Sequence, residues 1–195
     1  MRTQPQEVIA KLEADNSRLA KEAVIQSAME EGLDEFFVGL RMALDPLVTF
    51  GVKQVPERSD VLTGQGLSWN NFETLANQLI NRELTGHAAR DAIELAMGVA
   101  TTEQWNMFYR RILIKDLRCG VSEKTVNKVA KKFPQYAIPT FTCPLAHDSA
   151  NHEKKMIGKK QVEVKLDGVR VITIIRGDTS HKQFCKVEMF SRNGK

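Results

Sequence analysis

Cysteine is scarce in this sequence, and long apolar runs are missing from it. The three cysteines, Cys119, Cys143 and Cys185, lie far apart and form no CxxC pair. That spacing excludes a disulfide scaffold and fits a reducing compartment, so a cytoplasmic protein is expected. No apolar stretch approaches the roughly 18 to 20 residues that a membrane span needs. The opening residues, MRTQPQEVIAKLEADN, hold no apolar core of a secretory signal. Internal repeats and low-complexity tracts are also missing. What remains is the composition of an ordinary globular protein, with 42% hydrophobic and 27% charged residues. A length of 195 residues suits one large domain or two small ones.

The net charge is +4, but it is not spread evenly. The segment Arg110 to Lys132, RRILIKDLRCGVSEKTVNKVAKK, has eight basic residues against Asp116 and Glu123. It therefore stands at +6, and the rest of the chain at −2. A local basic patch is the electrostatic footprint of a polyanion contact. Read without a partner, it is a solvated helix face. The pattern predicts a helix carrying Trp105, Phe108, Ile112, Leu113 and Leu117, then Gly120 as a helix-ending glycine. Ser122 would cap a second helix running through Lys132. On it Lys124, Lys128 and Lys131 follow at i, i+4 and i+7 and share one face. Free backbone N–H groups at the start of that helix suit a phosphate, and the lysine row lies behind them. Lys115 and Arg118 are further candidates for phosphate. Such contacts hold a nucleic-acid backbone without reading bases and make binding dependent on salt.

The chain before this patch reads as helices. Val8, Ile9, Leu12, Leu19, Ala23 and Val24 have helical periodicity, interrupted near Asp15 to Ser17. Leu33, Phe36, Phe37 and Leu40 form a second run that stops before Pro46. Residues 48 to 67 read as a loop. Ser68 and Thr85 are candidate caps for two more helices, and Thr101 with Gln104 has capping-box spacing. Trp69 and Trp105 sit at core positions of helices. Residues Pro134 to Pro144 read as a linker. Beyond Gly158 the period changes to two. Strands are predicted over Gln161 to Leu166, Val169 to Ile175 and Phe184 to Phe190, with a turn at Gly177 to Ser180. The expected division is a helical domain over 1–135 and a β-rich one over 136–195, an α+β chain.

The chemistry-bearing stretch is VEVKLDGVRV, residues 162 to 171, which fits K-x-D-G-x-R at Lys165, Asp167, Gly168 and Arg170. Alternation places Glu163 and Lys165 on one strand face, with Asp167 and Gly168 turning the chain and Arg170 returning beside them. A lysine attacks as a nucleophile only as the neutral amine, so its pKa must be lowered by a nearby cation, a metal or burial. An ordinary hairpin with a D-G turn fits the same residues. His147 and His152 lie in a polar loop without a cysteine or carboxylate cluster and do not suggest zinc. His87 and His181 are isolated.

A second motif, SRNGK at Ser191 to Lys195, follows about 20 residues later. Together the two motifs resemble the covalent nucleotidyltransferase superfamily of DNA ligases, RNA ligases and mRNA capping enzymes. The upstream TCPLA, Thr142 to Ala146, resembles the stretch that opens the adenylation domain of ATP-dependent DNA ligases. In the helical part, LTGHAA (Leu84 to Ala89) and DLRCGVSEKTVNKV (Asp116 to Val129) resemble the N-terminal DNA-binding domain of the ATP-dependent DNA ligases of tailed bacteriophages. The resemblance covers essentially the whole chain, and the pieces stand in that family's order.

The resemblance implies an α+β chain, with an all-α DNA-binding domain followed by the first strands of an antiparallel, β-rich adenylation domain. Lys165 would attack the α-phosphate of ATP, expel pyrophosphate and hold AMP, which then passes to the 5′-phosphate of a nick in duplex DNA. Mg2+ would offset phosphate charge, although no metal ligands are expected in this stretch. Glu163 would contact the adenine, Arg170 the sugar or the nick, and Arg192 a phosphate. Asp167 and Gly168 would present backbone to the nucleotide. Lys115, Arg118, Gly120, Ser122, Lys124, Lys128 and Lys131 would face the duplex. A monomer in the cytoplasm, of a host cell if phage-encoded, follows from the same likeness. The family's later motifs and its OB-fold domain lie beyond Lys195. The chain therefore reads as a front part, unstable after about Phe141 and inactive alone. Two other readings stay open: a DNA-binding module without catalysis, and an RNA ligase or capping enzyme.

Overall fold

The computed structural model describes residues 3–59, 64–140, 149–161, 168–169, 171–177 and 186–191. The chain forms two compact units, Met1–Thr140 and Phe141–Lys195. The first unit holds the helices. α1 (Pro5–Ala14) starts with proline at its first position, and Gln4 N–H donates to Glu7 at 3.0 Å. The break before α2 (Arg18–Glu30) is a local turn in which Ser17 N–H donates to Asp15 Oδ1 at 2.7 Å. Gly32, at φ +65°, ends α2 through Gly32 N–H to Met29 O and Leu33 N–H to Ala28 O. α3 is Asp34–Leu44 and buries Phe36, Phe37 and Leu40. At Gly39 it meets a later helix so closely that a Cβ would lie 2.6 Å from Phe108 and 2.7 Å from Ile112.

Ser68 caps α4 (Trp69–Ile80), accepting from Asn71 N–H at 3.3 Å. Thr85 precedes α5 (Gly86–Val99) in extended geometry, but its hydroxyl makes no capping bond. The Thr101–Gln104 capping box opens α6 (Thr102–Gln104), with Gln104 N–H donating to Thr101 Oγ1 at 3.2 Å. A π-helical turn, Trp105–Tyr109, and α7 (Arg110–Leu113) continue it end to end. Last comes α8 (Glu123–Val129). Aromatic rings fill the centre, including Phe72 stacked on Tyr109 with centroids 4.2 Å apart and Phe36 on Phe108 at 6.0 Å. Trp69 and Trp105 belong to this core, at 8% and 0% exposure.

The loop between α3 and α4 is pinned by side chains of the α6–α7 run. Trp105 Nε1 donates to Pro56 O at 2.9 Å, and Arg110 Nε to Val55 O at 2.9 Å. Asn106 pairs with the backbone of Arg58 in both directions. Arg58 itself is buried and donates to the carbonyls of Met97, Gly98 and Ala100, the unpaired end of α5. Tyr109 donates to Leu67 O at 2.9 Å, and burial with the nearby Glu35 carboxylate pushes its pKa up from 10.0 to about 12. The folded state therefore holds this proton more tightly. Its stabilisation is complete below pH 10 and disappears as pH rises through 12, a loss of about 3 kcal/mol. Denaturant titrations between pH 9 and 12 should show that fall, and Tyr109→Phe should flatten it.

Residues 134–140 belong to the helical unit and are not a linker, and the rest of the expected linker, to Pro144, lies outside the described residues. Pro134–Tyr136 is a 3-10 turn, and the Tyr136 ring stacks on Phe37 at 4.3 Å. Asn127 exchanges two hydrogen bonds with the backbone of Ile138, at 2.8 and 2.9 Å. Anchoring by aromatic and amide contacts overrides the proline-rich composition.

Among its described residues the second unit holds two 3-10 turns, Ser149–Asn151 and Glu153–Met156, and a pair of antiparallel strands. Its strands are β1 (Val171–Arg176) and β2 (Lys186–Ser191), with Ile172 opposite Phe190 and Ile174 opposite Glu188. Val171, Ile175, Val187 and Met189 share the other face and are 51–70% exposed. Two of the predicted strands are thus seen, each shifted by one or two residues. The first, Gln161 to Leu166, falls almost wholly outside the described residues. The fold is mostly helical with this small sheet, compatible with an α+β class.

Candidate functional site

The basic segment is more ordered than its sequence pattern suggests, and much of its charge is used inside the fold. α7 stops at Leu113, not near Gly120. Lys115 N–H donates to Ile112 O and Asp116 N–H to Arg111 O, the double bond pattern that closes a helix on a left-handed residue. Lys115 occupies that position at φ +56°, a place glycine usually takes. Its ammonium compensates by donating to Met42 O at 3.1 Å and Asp45 O at 2.6 Å, the carbonyl end of α3. Lys115, expected at a phosphate, is therefore turned inward. Arg118 (φ +54°) and Gly120 (φ +63°) complete a run of left-handed residues that carries the chain to α8.

Arg111 is buried beneath this turn. It donates to Glu13 at 2.6 Å, Leu117 O at 2.9 Å and Asn106 O at 3.1 Å. Arg110 is held by Val55 O and by Glu57 at 3.0 Å. The basic residues of the segment that face solvent are Arg118, Lys124, Lys128, Lys131 and Lys132. Arg118 is half exposed and lies 3.7 Å from Glu57 and 4.0 Å from Asp116. Such long, wet pairs contribute about 0–1 kcal/mol and exchange readily for another anion.

The lysine row is only partly a helix face. α8 ends at Val129, so Lys131 lies one residue past its cap, not within it as expected. Asn127 is tied to Ile138, which turns the chain away from continued helix. Lys128 is exposed but bonded to Glu22 of α2 at 2.6 and 2.7 Å. Lys124 and Lys131 are exposed and have no ion pair among the described residues. Ser122 has the extended geometry of an N-cap, yet its hydroxyl meets Thr125 Oγ1 at 3.3 Å and not a backbone N–H.

One contributor was not legible in the pattern. The buried side of α2 is Lys21, Ile25, Ala28 and Met29, an apolar stripe whose first place is a lysine. Leu19, assigned to that stripe from periodicity, is 68% exposed. Lys21 is 6% exposed, and its ammonium donates to Asn16 Oδ1 at 3.1 Å. A Cβ on Gly120 would lie 2.6 Å from that ammonium, so the glycine turn rests directly over it. Cys119 is buried in the same place, and burial pushes its thiol pKa up.

The LTGHAA residues form the start of α5. They border a separate cavity of about 380 Å³ of mixed character, with Val52 and Ala89 beside Lys53, Gln54 and Arg90. Glu163, Lys165, Asp167, Arg170 and Arg192 lie outside the described residues. So does TCPLA, and of SRNGK only Ser191 is described. Gly168 is exposed, its φ is outside the left-handed region, and an added Cβ would meet nothing within 4 Å. Neither strain nor crowding among the described atoms demands a glycine there. No group of three or more His, Cys, Asp or Glu residues that could hold a metal occurs among the described residues, and no described helix is long and apolar enough to cross a membrane.

Two solved structures, named Pmar-Lig_PreS3 and Pmar-Lig_Pre., resemble this chain, each with a TM-score of 0.77 and 67% sequence identity over 99% of its length. Both names are ligase-related. The chain spans 43% of the length of each. No family model and no curated protein matches it.

Proposed function

We propose that this chain is the DNA-holding and nucleotide-attaching front part of an ATP-dependent DNA ligase that seals nicks. One observation carries the reading: the 67% identity to ligase-named structures runs over 99% of the chain, and so takes in both units. In this reading Lys165 attacks the α-phosphate of ATP and pyrophosphate leaves. The adenylyl group passes to a 5′-phosphate, and the neighbouring 3′-hydroxyl displaces AMP. Glu163, Asp167, Arg170 and Arg192 are assigned to the nucleotide on the motif likeness alone. Mg2+ would offset phosphate charge, but the described residues offer no carboxylate cluster to hold it.

On the helical unit, Arg118, Lys124 and Lys131 are cations that can exchange their present surroundings for phosphate. Gly120 and Ser122 shape the turn between them. Lys128 can join only by leaving Glu22. Three neutralised phosphates would weaken binding to a nicked duplex about forty-fold between 50 and 200 mM salt. Changing Lys124 and Lys131 together to alanine should lower the slope of log K against log salt by about 1.8. Lys115→Ala should leave that slope unchanged, because its ammonium faces carbonyls. Binding by the native chain that ignores salt would sink the assignment. A DNA-binding module without catalysis would use the same surface and give the same slopes. It separates from the ligase reading on labelling with ATP.

A further inference from the structure

We infer that Lys21 is a fixed cation of the DNA-contacting turn, with its ammonium holding a backbone phosphate that settles on Gly120. The inference rests on the DNA-binding reading above and adds a residue from a helix outside the basic segment.

A buried charge is costly unless an opposite charge compensates it. Arg111, buried beneath the same turn, has Glu13 at 2.6 Å, and Arg58, buried elsewhere, spends its donors on the carbonyls of Met97, Gly98 and Ala100. Lys21 has no carboxylate partner among the described residues. Its bond goes to the neutral amide of Asn16, leaving two of its three N–H donors for something else. Glu22, next in sequence, is committed to Lys128 and Arg18. The Cys119 thiol does not supply the anion, since burial favours its neutral form. Among the described residues no carboxylate compensates the cation, and it lies at the underside of an exposed turn. Gly120 is the thin part of that cover: its Cα is solvent-exposed, and the volume a Cβ would take is 2.6 Å from Nζ. Any larger residue would displace the ammonium as well as strain a φ of +63°. Arg118 and Lys124 flank the same turn in sequence and face solvent. A phosphate there meets one cation already held in place beneath it and two mobile ones beside it. Holding the charge in advance avoids the side-chain ordering cost that surface lysines incur on binding.

The test uses the full 195-residue chain and a nicked duplex. Lys21→Met should keep the helical circular-dichroism signal, reduce the salt slope by about 0.9 and weaken binding about eight-fold at 0.1 M salt. A lysine with only a structural role would cost thermal stability and leave the slope as it was. An unchanged slope therefore overturns the inference. Should Lys21→Met fail to fold, the native chain still decides by NMR. Adding duplex should then shift the Lys21 ammonium and Gly120 amide signals. Stationary Lys21 and Gly120 signals while those of Lys124 move would overturn the inference and spare the DNA-binding reading. A native chain that binds no duplex at all removes both.

Discussion

Trp105→Ala is expected to destabilise the helical unit by about 3–5 kcal/mol, the range for emptying a large aromatic site. Trp105 is fully buried and sits at the first position of the π-helical turn, next to the residues that staple the loop. Truncation would leave a void in the buried core. It would also remove the indole N–H that satisfies Pro56 O at 2.9 Å. The neighbouring staples from Asn106, Tyr109 and Arg110 all rise from the same turn, so relaxation into the void would disturb them together. For a unit of this size the melting temperature should fall by roughly 10–20 °C. Leu19→Ala is the matching control, because that leucine is 68% exposed and should shift melting by less than about 0.5 kcal/mol. A Trp105→Ala loss no larger than that of the control would mean the loop and the aromatic cluster are not one body.

The second large effect is chemical. In a polypeptide extended to the length of the solved neighbours, Lys165→Met should abolish transfer of label from α-labelled ATP to protein. The expected loss is on the order of 10⁶-fold, the scale on which removing a nucleophile acts in other covalent enzymes. Methionine keeps much of the length and removes the amine, so nucleotide binding should survive while the adduct does not. Lys165→Arg should fail equally, since a guanidinium does not give up its proton at neutral pH. Acid-labile, hydroxylamine-sensitive label on native protein would identify the P–N bond. Full labelling of Lys165→Met would show that another residue is the nucleophile and would remove the motif's assignment.

Helix positions were largely legible from the sequence because their signals are local. Ser68 as a cap, the Thr101–Gln104 box and the Asp15 to Ser17 break each depend on residues within four places of one another. Misreadings arose where distant groups decide. Gly120 resembled the helix-ending glycine, but Lys115 takes that place because the end of α3 offers carbonyls to its ammonium. The lysine row overran α8 because Asn127 is drawn to Ile138. A sequence lists charges but not their partners, so Arg110, Arg111 and Lys115 counted toward a surface patch they do not face. Lys21 escaped notice for the converse reason: a lone lysine in an apolar stripe looks like a mispaired surface residue until the turn above it is known. The K-x-D-G and SRNGK readings meet no test in the fold, because nearly all their residues lie outside the described ones.

The loop staples also bear on how quickly the helical unit assembles. Helical bundles usually fold fast because most of their contacts are between near neighbours in the chain. Here the bonds from Gln104, Asn106, Trp105, Tyr109 and Arg110 close spans of 37 to 55 residues. The ends of each span must meet before any of those bonds forms, and that entropic cost comes ahead of the stabilisation. The topology therefore sets the unit closer to mixed α/β domains than to simple bundles in folding rate. It also makes the loop one of the last parts to order and, along the reverse route, one of the first to come loose.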